Sequence, residues 1–116
     1  MKKFLKACVL TVVLSLLCTA VYAAPAKIGL MAPLTGAFAS EGQDMRKLVE
    51  LLADEVNKAG GINGEKVEVV VEDDGSDPRQ AANAAQRLVT KEVIASIGTY
   101  GSAITEASQN ISGEAH

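Results

Sequence analysis

The segment from Thr99 to Ser102 has residue types that suit the binding of an anion. It follows an apolar run, and Gly101 and Ser102 stand where a helix is expected to begin. Free backbone amides at a helix N-terminus, with the positive end of the helix dipole, favour an anion such as a carboxylate. The hydroxyl of Ser102 has two interpretations at this point: it contacts such an anion, or it only caps its own helix.

Three acidic residues, Asp73, Asp74 and Asp77, are close enough in sequence to suggest a metal site. Calcium loops place acidic or asparagine ligands at alternate positions before a glycine, and the spacing here is different. Asp77 also has a simpler role, because Pro78 follows it and Gln80 comes third, which is typical of a helix start. We therefore expect no metal site.

Residues for covalent catalysis and motifs for cofactors are missing from the sequence. The only histidine is His116, and both cysteines, Cys8 and Cys18, lie in an N-terminal segment that we expect to be removed. The usual nucleophile–base pairs are therefore absent. No glycine-rich phosphate loop or dinucleotide fingerprint follows the first apolar run after that segment. We expect neither an enzyme nor a bound cofactor.

Strands alternating with helices are predicted to position these residues. Short apolar or valine-rich runs predict the strands, and apolar residues at helical spacing predict the helices. The expected elements are a strand at 27–31, a helix at 40–59, a strand at 66–72, a helix at 77–91, a strand at 93–98, and a helix that begins at Ser102 and is still in progress at His116.

Strands joined by helices of this length are expected to pair in parallel, with right-handed crossovers. The predicted fold class is α/β, a parallel sheet with helices on both faces. Sheets of this kind bind ligands outside the carboxyl ends of their strands. The loops at that edge are 32–39, 73–76 and 99–102, so the helix start at Ser102 lies where a ligand is expected.

The first 23 residues have the three-part pattern of a secretory signal: a basic head, an apolar run and a small residue at the end. We expect cleavage between Ala23 and Ala24 and a periplasmic product, residues 24–116. An acylated cysteine is the less favoured alternative. The apolar run is shorter than the roughly 20 residues of a membrane span, so we expect no stable membrane anchor.

The charge of the exported part disfavours a nucleic-acid partner. All 14 acidic residues follow Ala23, whereas three of the 11 basic residues precede it. Nucleic-acid binding calls for a basic face, and this composition is that of an ordinary acidic soluble surface.

From Lys27 onward, the sequence resembles the first lobe of type I periplasmic binding proteins, in the leucine/isoleucine/valine-binding branch of amino-acid ABC transporters. The resemblance covers nearly all of the exported part. It rests on four motifs in order at matching spacing: Ile28 to Gly36, Gly60 to Gly64, Asp73 to Pro78, and Gly98 to Ser102.

The resemblance implies roles for four residues of this chain. Ser102 matches a hydroxyl that holds the α-carboxylate of the ligand, and Tyr100 and Gly101 match positions that line the pocket for the ligand side chain. Glu41 stands where some relatives place an aromatic side chain facing the cleft; it is expected either to meet a ligand ammonium or to be solvated. The positions of a disulfide known in some branched-chain binders are Ser76 and Gly101 here, so that staple is absent and branched-chain specificity is in doubt.

The resemblance further implies that residues 24–116 form an incomplete N-terminal lobe, because relatives have two lobes that close around the solute. The expected function is the solute-binding component of an amino-acid ABC uptake system, with a membrane permease as partner and no catalysis. We expect that this fragment binds no solute measurably on its own. A receptor lobe for an amide, urea or aromatic acid is the first alternative, and a fragment of a secreted α/β hydrolase is the second.

Overall fold

The computed structural model describes residues 24–114, in which strands alternate with helices. The order is β1 (Ala26–Ala32), α1 (Ala39–Lys58), β2 (Val67–Asp73), α2 (Pro78–Thr90), β3 (Ala95–Ile97) and α3 (Ser102–Glu114). The predicted order of elements is confirmed, with bounds that differ by at most two residues. The expected signal and cleavage position, and the continuation of α3 to His116, lie outside the described residues.

The three strands form one parallel sheet in the order β2-β1-β3. Ile28 in the central strand is paired with Val69 on one side and with Ala95 on the other. The connections run in opposite directions from β1 to β2 and from β2 to β3, and right-handed crossovers then place α1 and α2 on opposite faces. The predicted α/β class with a parallel sheet is confirmed.

The buried core lies between the sheet and the pair α2 and α3. Met31 from β1 contacts small and branched side chains of the two helices, and Val93 closes the end of the cluster near β3. The alanines of α2 allow the helix to approach the sheet closely, because each carries only a methyl group. The buried members of the cluster are Met31, Ala81, Ala84, Ala85, Leu88, Val93 and Ile104.

Glu72 joins β2 to α2 by two ion pairs on this same face. Its side chain is 9% exposed and accepts hydrogen bonds from Arg87 Nε at 2.5 Å and Lys91 Nζ at 2.6 Å. Burial opposes its ionisation, but the hydrogen bonds and positive charges of Lys91 and Arg87 hold the pKa of Glu72 below its usual value. The carboxylate therefore stays ionised and paired at neutral pH.

Local sequence signals explain where the helices begin and end. The Asp77 carboxylate accepts hydrogen bonds from the Arg79 and Gln80 amides at 3.0 and 2.9 Å, as expected for the cap of α2. Gly60 and Gly61 follow α1 with φ of 107° and 79°, which lets the chain leave the helix.

Helix α1 covers the other face of the sheet but leaves much of its apolar stripe in water. Leu48 and Leu52 belong to the apolar residues at helical spacing that predicted α1, yet their side chains are 57% and 55% exposed, and Leu51 beside them is 57% exposed. The sheet packs against the side of α1 that contains Gly42, which is the one buried residue of this helix. Within residues 24–114, no helix is long and apolar enough to cross a membrane.

Candidate functional site

Three loops meet at the carboxyl edge of the sheet: loop 1 (33–38), loop 2 (74–77) and loop 3 (98–101). Asp73, the last residue of β2, fixes loop 1. Its carboxylate accepts hydrogen bonds from the Leu34 amide at 2.8 Å, the Thr35 amide at 3.3 Å and the Thr35 hydroxyl at 2.6 Å. One side chain therefore determines the path of the chain between β1 and α1.

The same carboxylate also holds loop 2, because Asp73 accepts a 2.8 Å hydrogen bond from the Gly75 amide. Burial opposes ionisation of Asp73, but these donors outweigh it and keep its pKa below the usual value. Gly36 of loop 1 lies so close to Gly75 that a Cβ added at Gly36 would come within 2.9 Å of the Gly75 carbonyl oxygen. Loops 1 and 2 are thus in direct contact.

Asp74 follows with a different environment, because it is fully buried. Its Oδ1 accepts from the Ser76 amide at 2.9 Å, whereas its Oδ2 and the Ser76 hydroxyl have no partner within the described part of the chain. Burial and the nearby charge of Asp73 raise the pKa of Asp74 above its usual value, against the opposing hydrogen bond from Ser76. Neighbouring carboxylates therefore have opposite pKa shifts.

Loop 3 ends at the start of α3, where the sequence predicted anion binding. Gly101 has φ of 120°, and its carbonyl oxygen accepts from the Ile104 and Thr105 amides at 3.2 Å, so Gly101 occupies the capping position. Ser102 is the first residue of the helix and is exposed. The expectation that Ser102 caps α3 is wrong: the cap is one residue earlier, where glycine suits the positive φ.

The displaced cap leaves polar hydrogens available at this helix end. Within residues 24–114, neither the Ser102 hydroxyl nor the backbone amides of Ser102 and Ala103 have a hydrogen-bond acceptor. All three are at the first turn, where the helix dipole is positive. This arrangement can accept a carboxylate.

Tyr100 of loop 3 contacts Phe38 of loop 1. The ring centroids are 5.2 Å apart, the ring planes are tilted by 52°, and each residue is 42% exposed. Loop 3 is further fixed by a 2.5 Å hydrogen bond between the hydroxyls of Thr99 and Thr105. Loops 1 and 3 are therefore joined above the end of the central strand.

Glu41 is in the first turn of α1 and is exposed. Among residues 24–114 it makes no hydrogen bond or ion pair with Tyr100, Gly101 or Ser102. Three of the four predicted site residues, Tyr100, Gly101 and Ser102, thus lie at the junction of loop 3 and α3, and Phe38 of loop 1 lies beside them. Glu41 makes none of these contacts and lies in the first turn of α1, the end of the helix that Phe38 precedes.

A cavity of about 140 Å³ is present elsewhere, between the free edge of β3 and α3. Its lining includes Met31, Leu88 and Ile97 but none of the four predicted site residues. Within residues 24–114, no cluster of three or more His, Cys, Asp or Glu side chains is arranged to hold a metal ion.

The described residues form part of an α/β lobe: a parallel sheet has three loops at one edge, and one of these loops leads into a helix with free amides. The family described as periplasmic binding protein matches residues 25–116, and the chain belongs to it. Members of this family are solute-binding proteins.

Individual relatives are similar in sequence. An amino acid binding protein of Pseudomonas aeruginosa is 40% identical over 89 residues, which are 76% of this chain and 24% of that protein. The Leu/Ile/Val-binding protein BraC3 of Rhizobium johnstonii is 41% identical over 85 residues, 73% of this chain and 23% of that protein.

Solved structures are also similar. The branched-chain amino acid transporter substrate binding protein LivJ of Streptococcus pneumoniae, in complex with isoleucine, has a TM-score of 0.75 and 36% identity over 78% of this chain and 26% of its own. A fatty acid ABC transporter substrate-binding protein of Thermomonospora curvata has a TM-score of 0.70 and 32% identity over 74% of this chain and 22% of its own. The chain therefore spans about a quarter of the length of these relatives.

Proposed function

We propose that this chain provides the first lobe of the solute-binding component of an amino-acid ABC uptake transporter. The observation that supports this most directly is the start of α3, where the Ser102 hydroxyl and two amides face no protein acceptor within residues 24–114. Relatives that bind amino acids share this part of the fold. The carboxylate common to all amino acids is the group that such a helix start can hold.

The remaining partners follow from the same proposal. The solute would be enclosed when a second lobe, present in the longer relatives, closes over loops 1 and 3. The closed form would then dock on a membrane permease. The role is binding without catalysis, and it takes place in the periplasm after cleavage between Ala23 and Ala24.

A single lobe can supply only part of the binding free energy. A charge at an exposed helix N-terminus contributes about 0.3–1 kcal/mol, and one hydrogen bond to a charged group contributes about 1.5–3 kcal/mol. Even with all three donors engaged, most of this gain is offset by the freedom that the ligand loses on association, so we expect millimolar dissociation constants. We therefore expect the chain alone to bind amino acids far too weakly for calorimetry but within reach of NMR.

The test is an NMR titration of ¹⁵N-labelled chain, purified from the periplasm with its N-terminus determined, with acetate and then with leucine. We expect the amide signals of Ser102 and Ala103 to shift at millimolar concentrations. Ser102→Ala should weaken the response, whereas Ser112→Ala, at the other end of the same helix, should not. The proposed site would be refuted if Ser102→Ala left the response unchanged, or if no amide at the start of α3 responded.

A further inference from the structure

We propose that the Phe38–Tyr100 pair is an aromatic surface for the solute, so that this protein prefers carboxylates with an aromatic group over branched aliphatic ones. This inference rests on the proposed function, because it concerns the group attached to the carboxylate at α3. It goes further by assigning a solute class and by adding Phe38, a residue on a different loop.

The geometry of the pair suits a third ring. The centroid separation of 5.2 Å and the 52° tilt lie within the range of favourable aromatic pairs, in which the positive edge of one ring approaches the negative face of another. Each residue remains 42% exposed, so both rings present surface to the solvent. An aromatic solute can contact both rings with the same edge and face preferences, which an aliphatic side chain lacks.

Both rings are held before any solute arrives. Phe38 directly precedes α1, and its carbonyl oxygen accepts from the Gly42 amide at 3.0 Å; the loop before it is fixed by Asp73. Tyr100 stands between Gly101, which begins the turn into α3, and Thr99, whose hydroxyl is bonded to Thr105. A surface that is ordered in advance loses less conformational entropy on binding.

The aromatic surface and the carboxylate position are adjacent. Tyr100 comes two residues before Ser102, at the same end of α3. A carboxylate held by Ser102 therefore leaves the rest of a small solute next to Tyr100, and through Tyr100 next to Phe38. The relatives show that this fold accepts acids of different kinds, since one is described as binding isoleucine and another as a fatty acid transporter component.

The test compares phenylacetate with cyclohexylacetate, two acids of the same charge and nearly the same size that differ in aromaticity. Both are titrated into the ¹⁵N-labelled chain and followed at Ser102, Ala103 and Tyr100. We expect phenylacetate to bind severalfold more tightly, with its ring protons shifted by the currents of the protein rings. Isovalerate, a branched aliphatic acid, should bind no better than cyclohexylacetate.

Variants separate this preference from the carboxylate contact. Phe38→Leu and Tyr100→Leu should each lower the affinity for phenylacetate more than the affinity for cyclohexylacetate, so that the advantage of phenylacetate is lost. Tyr100→Phe should keep the advantage, because it retains the ring. Unchanged signals of Met31 and Ile104 in the core would show that each variant is folded.

The outcomes distinguish the two proposals. If all acids shift Ser102 and Ala103 but phenylacetate binds no better than cyclohexylacetate, the aromatic inference is wrong and the proposed function stands. If phenylacetate shifts only Tyr100 and its advantage is lost in Phe38→Leu, the aromatic surface is real and the carboxylate site is wrong. If no acid causes any shift, both proposals fail.

Discussion

The carboxylate of Asp73 accepts hydrogen bonds from two loops at once, which makes this residue a support for the site although it has no place in the proposed solute contacts. Its carboxylate oxygens accept hydrogen bonds from the Leu34 and Gly75 amides and from the Thr35 hydroxyl. Loop 1 carries Phe38, so the position of that ring depends on Asp73. Replacing Asp73 should therefore affect solute binding although its side chain does not contact the solute.

Asp73→Ala should lower the free energy of unfolding by about 1–3 kcal/mol, because the half-buried Leu34 amide loses its acceptor. Urea denaturation measures this loss. Asp73→Asn is the matched control: its remaining oxygen can still accept from Leu34, and Thr35 can accept from the new amide, so it should lose less. Hydrogen exchange at Leu34 and Thr35 should accelerate in the alanine variant, and unchanged exchange there would contradict the supporting role.

Replacing Asp74 should have the opposite effect on stability from replacing Asp73, because burial and the charge of Asp73 raise the folded-state pKa of Asp74. A raised pKa means that the folded chain binds the proton more tightly than the unfolded chain. Protonation of Asp74 therefore stabilises the folded chain. This stabilisation is fully present below the usual aspartate pKa near 3.8 and is lost as the pH rises through the raised pKa. Asp74→Asn removes the buried charge and should therefore stabilise the chain at pH 7.

We expect a gain of about 1 kcal/mol for Asp74→Asn at pH 7, which shrinks as the pH falls through the raised pKa of Asp74 towards 3.8. Thermal unfolding across this range measures the difference. Asp54→Asn, at an exposed position of α1, should change the stability by less than about 0.5 kcal/mol. A gain for Asp74→Asn that does not depend on pH would show that burial of the charge is not its cause.

The sequence was sufficient to predict where loop 3 and the start of α3 lie, but not the detailed geometry of that helix start. Loop 3 was expected at the carboxyl edge because alternating strand and helix patterns require it, and the fold confirms that position. Capping of α3 by the Ser102 hydroxyl was one of two interpretations, because hydroxyls are common caps; the positive φ of Gly101 appears only in three dimensions. Phe38 was missed because its contact with Tyr100 spans loops that only the fold brings together.

Helix α1 is positioned by its closest approach to loop 1. A Cβ added at Gly42 would overlap the carbonyl oxygen of Pro33, which is backbone and cannot rotate away. The periodic apolar residues of α1 predicted a helix correctly, but periodicity cannot tell which flank meets the sheet. The small size of Gly42 decides this, and the larger Leu48 and Leu52 are left outside.

Gly42→Ala should destabilise the chain by about 1–3 kcal/mol, because the helix must move away from the Pro33 backbone of loop 1. Gly113→Ala is the matched control in α3, where a Cβ would meet nothing within 4 Å. Alanine has the higher helix propensity, so the control should be neutral or stabilising by up to about 1 kcal/mol. Chemical denaturation of both variants gives the comparison; equal effects would contradict the close approach at Gly42.

The described part of the chain exposes apolar side chains on α1 and at β3. Leu48, Leu51 and Leu52 are more than half exposed on α1, and Ile94 and Ile97 are 61% and 42% exposed at β3. Within residues 24–114, β3 pairs with β1 alone, so its outer backbone groups are open. An open edge with apolar side chains can pair with another chain.

We expect the isolated chain to self-associate through the edge of β3, with Ile97 as its main apolar contact. Ile97→Lys places a charge on that edge and should shift the chain towards monomer, as measured by size-exclusion chromatography with light scattering over a range of concentrations. Asn83→Lys adds the same charge at an exposed position of α2 and controls for the change in net charge. If both lysines reduce association equally, general repulsion explains the result; if neither does, the exposed leucines of α1 are the contact, and the edge of β3 is not.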